Sequence, residues 1–165
     1  MPPTSDPVRP ADAESRALAR SLISGARFAA LAVIRPGTAA PFVSRIALGT
    51  DAAGVPLTLV SSLSQHAAAL AAGGEVSVLV GEPGPRGDPL THPRLTFQAT
   101  PEAVARDAPE HAALRARWLE AHPKARLYVD FTDFGFVRLR PLSGALNGGF
   151  GKAYALDAAD LAAPA

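Results

Sequence analysis

Cysteine is absent from this 165-residue chain. Disulfides, thiolate zinc sites, iron–sulfur clusters and cysteine nucleophiles are therefore excluded. Charged residues make up only 19%, below the usual quarter, and the formal net charge is +1. A general nucleic-acid binder would carry a basic surplus instead. Lysine is nearly missing and aromatics are sparse. No stretch approaches the roughly 20 apolar residues of a membrane-spanning helix. The opening Met1-Pro2-Pro3-Thr4-Ser5-Asp6-Pro7 lacks the apolar core of a signal peptide, so the expected compartment is the cytoplasm. What remains is a composition 48% hydrophobic, enough for one domain around one core.

Apolar periodicity and turn residues divide the chain. Residues 1–10 are proline-rich and read as a flexible tail, with one domain over 11–165. A helix is expected near 12–24, with Leu18, Leu22 and Ile23 as its apolar stripe and Gly25 as its stop. Strands are expected at 28–34, 42–48, 55–60, 76–80, 94–99 and 134–139, with a last short one at 153–156. A second helix follows the third strand and runs to about Ala72, and a third covers 109–121 with Leu114, Trp118 and Ala121 on one face. Residues 81–93 and 144–151 read as Gly-rich loops. Short strands joined by hairpin-like turns point to an antiparallel barrel with peripheral helices, mainly β in an α+β arrangement.

The junction between the third strand and its helix concentrates the chemistry. Ser61-Ser62-Leu63-Ser64-Gln65-His66 stands between an apolar run and an alanine-rich helical pattern. Unpaired N–H groups at a helix start, joined by hydroxyls, suit a phosphate. The same serines serve equally as N-caps. His66 beside them favours an anion when protonated. Arg45, inside a strand, either reaches solvent or offers its planar fork to an anion. Arg94, Thr96 and Gln98 share one strand face. Asn147-Gly148-Gly149-Phe150-Gly151 lets backbone approach a flat ligand, with Phe150 as a cover, or is a mobile turn. It matches neither a phosphate-binding P-loop nor a dinucleotide fingerprint. The four histidines are scattered without metal-ligand spacing, so no metal is expected. His111 and His122 are expected near the ends of an exposed helix. Asp88, Asp130 and Asp133 form no acid–base pair and read as loop and cap residues. No catalytic residue is assigned.

In order and spacing, Pro41-Phe42-Val43-Ser44-Arg45-Ile46-Ala47-Leu48, the serine cluster, Val76-Ser77-Val78-Leu79-Val80, Asp88-Pro89-Leu90, Arg94-Leu95-Thr96-Phe97 and Gly148-Gly149-Phe150-Gly151-Lys152-Ala153 resemble the pyridoxamine 5'-phosphate oxidase-like family of flavin-binding split barrels, in its haem-utilisation branch. The resemblance implies a six-stranded split barrel, a homodimer, and FMN in the groove between subunits. It implies that Arg45 grips the FMN phosphate, flanked by Ser44 and Ile46. Ser61, Ser62, Leu63 and Ser64 would surround the phosphate and ribityl chain. Gln65 and His66 fall where relatives carry a basic pair, and Arg94, Thr96, Gly149 and Phe150 would approach the flavin. The implied activity is a flavin-dependent oxidoreductase linked to haem utilisation. The alternative is a flavin- or haem-binding protein without turnover. Tyr154-Ala155-Leu156-Asp157 stands where the oxidase proper has an arginine-rich motif, which speaks against pyridoxamine phosphate as substrate. No histidine follows His122, so a C-terminal haem-ligating histidine is not expected.

Overall fold

The computed structural model describes residues 8–163. Its strands are β1 (Val8–Pro10), β2 (Phe28–Ile34), β3 (Pro41–Ala47), β4 (Gly49–Thr50), β5 (Pro56–Ser61), β6 (Val76–Val80), β7 (Arg94–Ala103), β8 (Phe134–Asn147) and β9 (Ala153–Asp157). The helices are α1 (Ala13–Gly25), α2 (Ala67–Ala71), α3 (His111–Ala121) and α4 (Ala158–Leu161). All nine strands belong to one sheet, ordered β1-β9-β8-β7-β6-β2-β3, with β5 also on β8 and β4 on β5. Every ladder is antiparallel except β1 on β9.

Six of these strands, β2, β3, β5, β6, β7 and β8, correspond to the six expected from the sequence. β8 is the pivot. Its first half pairs with β5, its last part with β9, and β7 runs along most of it. A register shift between Gln98 and Ala99 bends β7, as a bulge does. No ladder joins β3 to β5 among the described residues, and this is where the barrel is split. The two residue pairs of β4 with β5, and the Thr58 hydroxyl donating to the Ala47 carbonyl at 2.7 Å, span the gap. Thr58 is fully buried, so that hydroxyl satisfies a carbonyl the missing ladder leaves open.

The inner faces alternate as strand geometry requires. Leu31, Val33, Ile46, Val78, Val80, Leu95, Phe97, Leu139 and Leu146 fill the barrel. A smaller core of Leu57, Val104, Leu114, Trp118, Val129 and Phe136 lies under α3. α1 starts at a reciprocal cap: the Asp12 carboxylate accepts from the Ser15 N–H at 2.7 Å, and the Ser15 hydroxyl accepts from the Asp12 N–H at 2.8 Å. It buries Ser15, Ala19 and Ile23, with Leu18 and Leu22 flanking the core. Arg16 pairs with Asp160 at 2.5 Å and ties α1 to α4.

Four expectations are corrected. Val8–Pro10 is not tail but a parallel partner of β9, while residues 1–7 lie outside the described residues. Gly144-Ala145-Leu146-Asn147, read as loop, is the end of β8, because β7 and β9 pair with it from both sides. His122 caps the end of α3 as expected, but its side chain is not exposed. It is half-buried, stacks on Trp118 at 4.2 Å, and donates from Nε2 to the Leu48 carbonyl at 2.9 Å. The serine cluster does not open a helix: α2 begins only at Ala67.

Candidate functional site

Residues 61–66 form a chain of turns whose hydroxyls are largely committed. The Ser61 hydroxyl donates to the Asp133 carboxylate at 2.5 Å and accepts from the Leu63 N–H at 3.1 Å. The Ser62 N–H donates to the Asp133 carbonyl at 2.7 Å. The Ser64 hydroxyl donates to the Ser61 carbonyl at 2.8 Å. These are the local side-chain-to-backbone bonds by which serine competes with helix. Among the described residues, the Ser62 hydroxyl and the N–H groups of Gln65 and His66 form no hydrogen bond, so they are the turn's free donors. Ser62, Leu63 and Gln65 are exposed.

β3 sends neighbouring residues to opposite faces. Ser44 faces the turn, its Oγ 2.9 Å from His66 Nδ1, and Ile46 is buried in the barrel core. Arg45 stands on the outer face, its guanidinium 5.2 Å from the centre of the Phe28 ring. That stacking draws it away from Ser44 and the serine turn. The register aligns Arg45, Ala30, Leu79 and Thr96 in one row across the sheet. Three strand spacings, about 14 Å, separate the first from the last.

Arg94 lies two residues before Thr96 and pairs with Asn147. Its guanidinium donates to the Leu90 carbonyl at 2.9 Å. Beside it the 147–152 loop is held shut: the Gly149 N–H donates to the Asn147 side chain at 3.0 Å, and the Gly148 N–H to the Lys152 carbonyl at 2.7 Å. Phe150 projects from its tip, 97% exposed. The neighbouring loop leaves β6 through Gly81, with φ +99°, where an added Cβ would lie 2.5 Å from the Pro93 carbonyl. No residue with a side chain fits there.

The expected site residues thus form two groups. Ser44, Gln65, His66 and the serines gather at the turn, while Arg45, Arg94, Thr96, Gly149 and Phe150 belong to the outer face and its bordering loop. Between the latter runs an apolar surface of Phe28, Ala30, Ala32, Ile34, Val43 and Leu79, with Val43 63% and Leu79 42% exposed. Burial lowers the His66 pKa below its ordinary value of 6.5, so the imidazole is neutral at pH 7. It adds no charge toward an anion. Asp133 adds a carboxylate beside the serines. The turn therefore offers a phosphate hydroxyl and amide donors, and the fixed positive charge within one protomer lies elsewhere. The nearest new contributor is Arg35, which reaches Gln65 Oε1 at 3.5 Å and stacks on Phe42 at 4.9 Å. Arg35, Phe28 and Asp133 are missed by motif reading because each is recruited from a distant segment.

The split wall, the inner–outer alternation and the turn after β5 define a split barrel of the pyridoxamine phosphate oxidase-like class. A protein related to general stress protein 26, of the pyridoxinephosphate oxidase family, from Clostridium acetobutylicum has the same fold, at 10% identity and TM-score 0.67 over 92% of this chain and 99% of that one. The CREG beta-barrel family model matches residues 10–162, and the chain belongs to that family. It is similar to the chloroplastic non-canonical heme oxygenase HOZ of Arabidopsis thaliana, 36% identical over 101 residues, which is 61% of this chain and 30% of that protein. It is also similar to a heme binding protein from Mycobacterium smegmatis, 27% identical with TM-score 0.81, over 93% of this chain and 61% of that one. The chain thus spans less than two thirds of the length of either haem-related relative.

Proposed function

We propose that the chain works as a homodimer that handles haem in a groove along the outer face of its sheet. The observation that carries this is the exposed apolar surface of Phe28, Ala30, Ala32, Ile34, Val43 and Leu79, bordered by Arg45 and Arg94. A monomer rarely leaves such a contiguous face bare. A second copy laid on it would cover this face and could complete the groove with its own turn. A groove with apolar walls and arginine at its edges suits a flat macrocycle with propionates. Bound haem would supply the redox chemistry. The chain would supply the apolar faces, through Phe28 and Leu79, and the carboxylate partners, through Arg45 and Arg94. These residues offer the iron no imidazole. His92, in the loop before Arg94, has both ring nitrogens engaged, with the Gly84 N–H at 3.2 Å and the Arg86 carbonyl at 2.8 Å.

A second reading places FMN in the same groove, with flavin-dependent oxidoreduction. The free donors of the turn, the Ser62 hydroxyl and the Gln65 and His66 N–H groups, favour it, because they could hold a phosphate without fixed charge. Titration of the purified protein with haemin and with FMN separates the two. Saturable growth of a red-shifted Soret band, with no quenching of flavin fluorescence, supports haem. Quenching of FMN fluorescence with oxidation of a reduced nicotinamide supports the flavin enzyme. Binding of neither ligand removes both.

A further inference from the structure

We infer that a second, cationic pocket at the α1–β4–α3 junction binds a small phosphate-bearing ligand. The pocket, of about 250 Å³, is lined by Arg27, Arg117, Glu120, Thr50, Gly49 and Trp118, so two guanidinium groups share it with one carboxylate. It shares no residue with the serine turn and none with the apolar outer face.

The charge of this pocket is unspent. Arg16, Arg115, Arg138 and Arg140 each pair with a carboxylate, whereas the two arginines that line this pocket do not. Among the described residues neither Arg27 nor Arg117 has a carboxylate within 4.0 Å, and the Arg27 guanidinium forms no hydrogen bond at all. Glu120 lowers the net charge without pairing with either.

The pocket is also oriented in advance. Arg117 Nε donates to the Thr50 carbonyl at 2.8 Å and one terminal nitrogen reaches Thr50 Oγ1 at 3.4 Å, which leaves the other terminal nitrogen free. β4 comes close enough for this because residue 49 is glycine. A Cβ there would stand 3.2 Å from Trp118 Cζ3. Trp118, 2% exposed, is a rigid floor. His122 beside it is neutral, its pKa lowered first by burial and then by the charge of Arg27. The positive charge therefore comes from two guanidinium groups on two segments, Arg27 just before β2 and Arg117 on α3. Two forks of N–H donors match the oxygens of a phosphate better than a lysine pair would.

The test is calorimetric titration of the full chain with inorganic phosphate and, in parallel, with methyl phosphate, in chloride buffer at constant ionic strength. Saturable binding at one site per chain is expected, weakened about tenfold or more in Arg27→Gln and in Arg117→Gln. Arg27→Gln removes no bond of the folded chain, so its loss of binding cannot be ascribed to unfolding. Tighter binding of methyl phosphate assigns the site to a phosphate ester, and equal or weaker binding to free phosphate. No saturable binding, or unchanged affinity in Arg27→Gln, overturns the inference. The haemin and FMN titrations are read separately, and Arg27→Gln is expected to leave them unchanged.

Discussion

Ser44 Oγ and His66 Nδ1 lie 2.9 Å apart, a bond that clips β3 to the turn before α2. The imidazole that makes it is half-buried and neutral, so the clip is a neutral hydrogen bond and not an ion pair.

Acid is expected to loosen the fold through this imidazole and through His122. Both have folded-state pKa values below the ordinary 6.5, with burial as the first cause. The unfolded chain then binds protons more readily than the folded one. Their stabilising contribution is complete above pH 6.5 and is lost as pH falls from there through the folded values. Thermal melts between pH 8 and pH 5 should show a falling Tm. A flatter profile is expected in a His66→Asn, His122→Asn double variant, and an unchanged slope would contradict the assignment.

Arg45→Ala is expected to weaken the groove's anionic ligand by about 1.5–3 kcal/mol, the scale of a hydrogen bond to a charged group. Haemin or FMN titration of the variant measures it. Since the Arg45 side chain forms no hydrogen bond or ion pair among the described residues and stacks on Phe28, the variant should melt close to the parent protein. Equal ligand affinity would remove Arg45 from the site.

Leu79→Glu is expected to convert the proposed dimer into a folded monomer. Leu79 stands near the middle of the apolar outer face, and a charge there would be desolvated on association. Sedimentation velocity reads the mass, and circular dichroism checks the fold. A monomeric parent protein, or a variant that still dimerises, would defeat the interface.

Asp51→Ala is expected to cost about 3 kcal/mol in urea unfolding. One Asp51 oxygen accepts from the Ala53 and Val55 N–H groups, both at 2.9 Å, and the other from Arg138 Nε at 3.0 Å. The two side chains are only 10% and 12% exposed, so removal leaves a nearly buried guanidinium facing only the more exposed Glu110 at 3.4 Å and Glu102 at 3.5 Å. Asp130→Asn breaks the exposed pair with Arg115 and should hardly move the midpoint.

The barrel strands were legible where their signals are local. Residues 28–34 and 76–80 coincide with β2 and β6, and Leu114 and Trp118 do face the core under α3. Asp88 takes the cap role its isolation suggested, whereas Asp130 pairs with Arg115 and Asp133 accepts the Ser61 hydroxyl. The misread segments depend on distant partners. A strand of three residues such as β1 has no periodicity to read, and exists because β9 offers an edge.

The sequence alone determined which residues alternate, where the chain turns, and that its serines and glycines concentrate at a strand–helix junction and a late loop. These follow from side-chain chemistry within a few residues. Only the tertiary structure decided how those groups are spent. Asp133 takes up the Ser61 hydroxyl from 72 positions away, burial neutralises His66, and the pleat of β3 sends Arg45 to the face opposite Ser44. Burial, pairing and facing are properties of the packed sheet, because each depends on what long-range folding brings alongside.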